Sequence, residues 1–514
     1  MSVTRACGPC RAGKTKCDMN RPICGRCAQR RIACHGYLVQ PGLIFCDQRE
    51  VAQRNSERAR KKFRQATTLL ELIGINPPRE QRPSNTSFEL SDLDLQQYYS
   101  WLSSRAVAPV SEPLRRDLCE RAVEHFFVNW TVYPSNDEQS PGFLHTLPQL
   151  YSQASPNSAL SFAVRAIAAA DKRHYHDGKI SFHTKARLHY GEALARLRVK
   201  ANDEQVMTED CTLATLMLLD SFEEMYLARS EPLGPHSDAV SHILHLRGDA
   251  QFFDRSKYAL WRMAYDRLQA KQILLREGPS STQIEWFTKL DTSTPNFRIC
   301  ADKLRMNILC AEAKKLLERN QHPKMALTRA QQLIQDIQAL LSSIDGWKIE
   351  MPTALKPQHA SLDQMEPRMS QSCSISSFLF TCSKALAYRD ISIANIWNFY
   401  TAGQIVLRES LIEVLEYAAA LQQEDNIAET RSKIEIEQIA IQALAGNIIE
   451  SSPQLLGFIP AKGGNYPLQQ GIMAGRFLIL FSMWVIQRAK HTSRAHKRIS
   501  TEIVDWIKHT HALA

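Results

Sequence analysis

The chain has 514 residues, 44% of them apolar and 23% charged, an ordinary balance for a globular protein with room for several domains. Its N-terminus, MSVTRACGPC, lacks the apolar core of a signal peptide. The most apolar run, FLILFSMWVI from Phe477 to Ile486, is too short to cross a bilayer as a helix. An intracellular chain without a membrane span is therefore expected. Charge is uneven: residues 1–64 hold fifteen Lys or Arg against four Asp or Glu, a formal +11, while the whole chain is +10, which leaves −1 for residues 65–514. A basic head on a near-neutral body points to a polyanion as partner of the head alone.

The head opens on a stretch with two readings. GPCRAGKT, Gly8 to Thr15, fits the phosphate-loop pattern G-x-x-x-x-G-K-[ST]. It also contains Cys10 and is flanked by Cys7 and Cys17. A phosphate loop needs an apolar strand before it, so that its backbone N–H groups form an anion nest at a helix start. Only MSVTRAC precedes Gly8, and that is too short and too polar for a buried strand. The nucleotide-hydrolase reading is therefore the alternative, and an enzyme is not expected. No G-x-S-x-G, H-E-x-x-H or strand-borne G-x-G-x-x-G is present either.

Six of the thirteen cysteines lie between Cys7 and Cys34. Their spacing, Cys7-x2-Cys10-x6-Cys17-x6-Cys24-x2-Cys27-x6-Cys34, repeats C-x2-C-x6-C with an offset of 17 residues. In a reducing compartment such a cluster indicates metal rather than disulfides. Zinc takes four tetrahedral ligands. Two zincs with four thiolates each would need eight, and six suffice if two sulfurs bridge both metals. Spacing alone does not choose the bridging pair. A single zinc on Cys7, Cys10, Cys24 and Cys27 is the competing arrangement; it leaves Cys17 and Cys34 idle. The segment has too little apolar mass for a core of its own, so metal is the expected folding force. Cys46, Cys119, Cys211, Cys300, Cys310, Cys373 and Cys382 have no ligand spacing and are expected to be free, mostly buried thiols.

CGPCRAGKTKCDMNRPICGRCAQRRIAC resembles the fungal Zn(2)-C6 binuclear cluster of DNA-binding transcription factors, in all six cysteines and in Arg11, Lys14, Lys16 and Pro22. The segment HGYLVQPGLIFCDQRE, and further on YGEALARL, LATLMLLDSFE and HILHLRG, look like pieces of one branch of these regulators and of their helical regulatory domain. The resemblance implies that Cys7 and Cys24 bridge, with Cys10 and Cys17 completing one zinc site and Cys27 and Cys34 the other. It implies double-stranded DNA as partner, Lys14 on the guanines of a CGG triplet, and Arg11, Lys16 and Arg5 on phosphates. It also implies a nuclear regulator of RNA polymerase II genes; secondary-metabolite gene clusters are the expected targets. A repressor or adaptor without activation function is the variant of this reading.

The residues after each C-x-x-C, RAGKTK and AQRRIA, are expected to form short helices. A helix of that size fits the major groove, where Lys donates to guanine O6 and N7. Ala12 and Gly13 depart from the more basic pattern of the family, and Gly13 lowers helix propensity. Arg26, Arg30 and Arg31 are read as phosphate ligands, with a solvated face as the alternative.

A helix is expected from about residue 48 to 75, stopped by Asn76-Pro77-Pro78. Its basic middle, RNSERARKKFR, is read as a nuclear-import or backbone-contacting segment, with a solvated helix face as the alternative. Residues 52, 56, 59, 63, 66, 70 and 73 keep heptad spacing, so Ala52 to Ile73 can pair two chains or pack against the same chain's body. From Ser91 on, apolar residues recur at three and four with almost no alternation. Helices are expected at Leu114–Trp130, Ala159–Tyr175, Ser181–Val199, Thr208–Tyr226, Cys300–Arg319 and Ala326–Leu341, then Ser374–Leu421 with a break, Glu429–Ile449, Leu468–Arg488 and Ala495–Thr510. His174 and His176 beside Asp171 and Asp177 read as a polar helix end rather than a metal site. The expected architecture is all-α: a two-zinc cluster at 1–37, a linker with a basic helix at 38–90, and a helical regulatory domain at 91–514. The body is expected to meet transcription machinery or an effector.

Overall fold

The computed structural model describes residues 9–10, 15, 17–18, 24–32 and 34 of the head, and residues 118–511 except 135–140, 172–180, 202, 228–235, 253–254, 290–294, 319–321, 361–383, 423–426 and 460–470. The chain divides into two compact units, Met1–Pro83 and Ser84–Ala514. The expected helix at 48–75, its heptad seam, and His174, His176 and Asp177 lie outside the described residues.

The second unit is built of helices. In chain order they are α2 (Leu118–Trp130), α3 (Leu147–Gln153), α4 (Ala159–Ala170), α5 (Ser181–Lys200), α6 (Glu204–Met207), α7 (Asp210–Tyr226), α8 (His236–Arg247), α9 (Arg255–Leu275), α10 (Ser281–Lys289), α11 (Pro295–Glu318) and α12 (Pro323–Glu350). After a short two-stranded ribbon come α13 (Ile391–Gln422), α14 (Ile427–Leu455), α15 (Ile472–Arg488) and α16 (Arg494–His511). The label α1 belongs to the head, at Gly25–Gln29.

The long helix α13 is the axis of the unit. Buried side chains lie all around it, from Ile391 and Trp397 through Tyr400 and Leu407 to Leu415, which marks a helix enclosed by others. It packs against α11, α12, α14 and α15. A second group gathers α4 with α5, α2 and α7. A third centre is aromatic: Trp261 stacks on Tyr265 at 5.1 Å, and Trp286 meets Trp261 edge-on at 6.2 Å. Such pairs add to the stabilisation from area burial. The apolar run Phe477–Ile486 lies inside α15 and is mostly buried. Among the described residues no helix is long and apolar enough to cross a membrane.

The helices expected at Ala326–Leu341 and Glu429–Ile449 run longer, over Pro323–Glu350 and Ile427–Leu455, and two others are interrupted or cut short. The break expected within 374–421 is a change of element: Ala385–Ala387 is a strand, β2, paired antiparallel with β1, Gln358–Ala360. Asp390 then starts α13, its carboxylate accepting from the Ile393 N–H at 2.9 Å. Three-residue strands carry too little alternation to be read from sequence. This ribbon is fixed from outside, by Gln454, whose amide accepts from the Tyr388 N–H at 2.8 Å and donates to the Tyr388 carbonyl at 2.6 Å. The helix expected at 159–175 ends at Ala170, because Asp171 adopts an extended conformation and only its N–H closes the last turn.

Gly475 shows how tightly α15 meets α14. A Cβ there would lie 2.3 Å from the Leu455 carbonyl oxygen and within 3.2 Å of the rest of that backbone. The obstacle is main chain and cannot swing away. Gly475→Ala is expected to destabilise the body by about 2–3 kcal/mol, read as a lower urea midpoint at unchanged slope. His189, His242 and His496 are each held below the ordinary imidazole value of 6.5, with burial as the largest cause. Their neutral form is favoured in the fold, so the unfolded chain binds more protons as pH falls through 6.5. Stability is expected to be complete above that value and to decline below it. Urea unfolding at pH 7.5 and pH 5.5 checks this, and His242→Gln should shrink the difference.

Candidate metal centre and nucleic-acid interface

In the head, the buried side chains among those described are Cys10, Cys24 and Cys27; Cys17 and Cys34 are half-buried around them. Its centre is sulfur, where a protein core would have aliphatic carbon. Burying thiols in a segment this small stabilises little, whereas structural zinc supplies about 10 kcal/mol or more.

The sulfurs form two overlapping triads. Cys10, Cys17 and Cys24 bring their Sγ atoms within 4.8 Å of one another, and so do Cys24, Cys27 and Cys34. Cys24 belongs to both. The Cys10 and Cys24 sulfurs are 3.7 Å apart, close to the roughly 3.8 Å edge of a tetrahedron with Zn–S bonds of about 2.3 Å. Cys10 and Cys27, one from each triad, are 4.0 Å apart. Cys7 lies outside the described residues.

Local sequence explains how Cys24 reaches both groups. It is the N-cap of α1, with an extended backbone, and the Cys27 N–H points to its Sγ at 3.3 Å. The Ala28 N–H closes the first turn on the Cys24 carbonyl at 3.1 Å. The x2 spacing thus places both sulfurs of the pair on one helical turn. Backbone N–H donation to a ligand sulfur fixes its orientation and tempers its charge. Asp18, just after Cys17, accepts from the Gly25 N–H at 2.8 and 3.1 Å, tying the loop between the halves to the start of α1. Asp18 carries no local signal in the sequence, since it lies seven residues before the Gly25 N–H that it accepts from.

The second short helix lies earlier than expected. It covers Gly25–Gln29 instead of starting at Ala28, because Cys24 itself caps it and Arg31, with φ at +52°, ends it. Arg30 and Arg31 therefore sit at its exit and are exposed; Arg26 is on the helix and half-buried. In the first half residues 9–10 are helical, and the Thr15 N–H donates to the Cys10 carbonyl at 2.9 Å. Thr15 itself is not helical. Arg5, Arg11, Lys14 and Lys16 lie outside the described residues. Cys10, inside GPCRAGKT, is thus built into the sulfur cluster. Among the described residues of the body the one sheet is a two-stranded antiparallel ribbon, not the parallel sheet on which a phosphate loop sits.

Residues 5–42 match the family model of the fungal Zn(2)-Cys(6) binuclear cluster domain. The head is a fungal zinc-cluster domain. That domain binds two zinc ions, for which the clustered cysteines are suited, and it supports a zinc-cluster DNA-binding transcription factor. The family is generally non-enzymatic. No curated protein and no solved structure matches the chain.

The remaining cysteines of this zinc-cluster protein behave differently. Cys300 and Cys310 are buried, and Cys211 is half-buried. Burial pushes the Cys300 thiol up and the Cys310 thiol to about 11, so both stay protonated at neutral pH and are poor nucleophiles. The side chains of Cys46, Cys119, Cys373 and Cys382 lie outside the described residues.

The overlap of the two triads at Cys24 gives a stoichiometric test. Cys24→Ser is expected to reduce bound zinc from two to none and to unfold the head, as measured by metal analysis and circular dichroism of the purified chain. Asp18→Ala, which removes the carboxylate on the Gly25 N–H and no thiolate, should keep both zincs and cost about 1 kcal/mol.

Proposed function

We propose that this zinc-cluster protein is a nuclear regulator of RNA polymerase II genes whose head reads CGG-type half-sites. The observation that carries the reading is the sulfur cluster with Cys24 common to both triads, set in the basic first 64 residues of an otherwise near-neutral chain. The ligands of one zinc are Cys7, Cys10, Cys17 and Cys24, and those of the other Cys7, Cys24, Cys27 and Cys34. Eight Zn–S bonds then come from six thiolates, with Cys7 and Cys24 as bridges.

Lys14 lies four residues after Cys10 in the more basic of the two loops and is assigned to guanine O6 and N7. Arg5, Arg11 and Lys16 are assigned to phosphates. They set affinity and its salt dependence without selecting sequence. Exposure of Arg30 and Arg31 supports phosphate contacts from the second half as well. The division proposed is a cluster at 1–37, a linker at 38–90 and a regulatory body at 91–514, with Ala52–Ile73 pairing two chains so that the target has two half-sites. Secondary-metabolite genes are the proposed targets, and the body the part that meets transcription machinery or an effector.

A CGG-containing duplex and its scrambled counterpart separate base reading from charge. Lys14→Ala is expected to weaken binding to the first about tenfold or more and to the second much less. Equal losses on both would remove Lys14 from base reading. Arg11→Ala should weaken both alike and lower the slope of affinity against salt by about one.

A further inference from the structure

The body contains a cleft that the head's chemistry does not use. It opens among α7, α8, α9, α13 and α15 and the segment 141–144. Its walls are largely apolar, with Phe143, Met263, Ile396, Phe399, Phe477 and Phe481 prominent among them. Segment 141–144 is held in place by backbone hydrogen bonds between Val132 and Phe143, at 2.8 and 2.7 Å. Convergence of several packed elements on one apolar cleft with a few polar groups is the usual form of a small-molecule site.

Its charged residues are not equivalent. Arg267 donates to Asp220 at 2.7 Å, pairs with Glu224, and lies 4.9 Å from the centroid of the Phe477 ring. Asp266 is engaged by Lys303, whose side chain is only 2% exposed. Arg262 is one helical turn before Asp266, the position from which an ion pair ordinarily forms. Lys303 has taken that carboxylate. Arg262 is half-buried at the cleft and has no ion pair or hydrogen bond among the described residues. Asn395, also at the cleft and half-buried, has none among them either.

We infer that the cleft binds a small apolar carboxylate, its hydrocarbon or aromatic part against the Phe and Met walls and its carboxyl group on the Arg262 guanidinium, with Asn395 as a further donor. A neutral apolar molecule would leave Arg262 without a partner. A dianion or polyphosphate would be opposed by Asp220 and Asp266 and by the apolar walls. A guanidinium presents two parallel N–H donors matched to the two oxygens of a carboxylate. This inference deepens the regulatory role proposed for the body by naming the class of effector, and the binding itself depends on the body alone, whatever sequence the head reads.

The test is calorimetric titration of the full-length, zinc-loaded chain with octanoate at pH 7, and with 1-octanol as the uncharged counterpart of the same length. Octanoate is expected to bind one site saturably, and more tightly than octanol. Arg262→Gln should weaken octanoate about tenfold or more, the size of a lost charge-assisted hydrogen bond, and leave octanol nearly unchanged. Arg262→Lys should restore part of the difference. Leu478→Trp, which fills the cleft from a half-buried wall position, should weaken both ligands; Met217→Trp serves the same purpose if that variant does not fold. Absence of saturable octanoate binding, octanol binding as tightly as octanoate, or an octanoate affinity indifferent to Arg262→Gln would each overturn the inference. The same variants titrated with the CGG duplex should bind as the parent does, so failure of DNA reading and failure of the cleft are told apart.

Discussion

Two tetrahedral zincs require eight bonds, and the head offers six thiolates. That shortage governs the first unit of the protein. Two sulfurs have to serve twice, so the two metals must lie close together, and the two halves of the repeat must fold onto each other. Cys24 shows how a chain meets this demand locally. Its backbone is extended, it caps α1, and the Cys27 N–H points to its Sγ, so its sulfur stands at the junction of both triads. A cysteine deep inside a helix would have its sulfur committed to one face. The x6 arms, to Cys17 and Cys34, then bring in the third sulfur of each triad from loops instead of regular structure.

The second unit obeys a different constraint, enclosure of one long helix. With buried side chains all around α13, its neighbours must approach from every side, and close approach demands small residues at the crossings. Gly403 of α13, where a Cβ would lie 2.9 Å from the Met306 sulfur and 3.3 Å from Ile273 Cδ1, is one such place. The same enclosure brings charge inside. Asp302, fully buried, accepts from the Tyr400 hydroxyl at 2.9 Å and from Arg298 Nε at 3.2 Å. Buried carboxylates persist when such partners are supplied and are costly when they are not.

Much of this was legible in the sequence, and the reasons differ between the units. The six-cysteine spacing is a ligand count, and ligand counts survive any uncertainty about backbone. The bridging pair cannot be read from spacing, since the repeat makes equivalent positions look alike; the place of the Cys24 sulfur in both triads supports the bridging role proposed for it. The short helix at Gly25–Gln29 was placed too late because propensity weighs AQRRIA and overlooks a cysteine acting as cap. In the body, the period of three and four shows helices over long stretches such as Trp397–Tyr417. The β1–β2 ribbon carries no such period and depends on Gln454, 66 residues from Tyr388 in sequence. Contacts of that kind are decided by tertiary packing and leave no local trace.

Asp266 shows the same limit in the electrostatics, and it also explains the cleft. Local rules assign this carboxylate to Arg262, one turn away on α9. The fold gives it to Lys303 on α11. Burial decides the competition. The Lys303 side chain is almost wholly enclosed, with its Nζ 4.2 Å from the centroid of the Phe399 ring, and an ammonium there without a counter-charge would cost several kcal/mol in desolvation. Arg262 keeps access to water, and a guanidinium is more weakly hydrated than an ammonium, so its loss of a partner is the cheaper of the two. The acid therefore goes to the cation that cannot be hydrated. The cation left over is half-buried at the cleft that α9 and α13 help to line, so under the inference above a requirement of core packing sets the sign of charge that the cleft accepts.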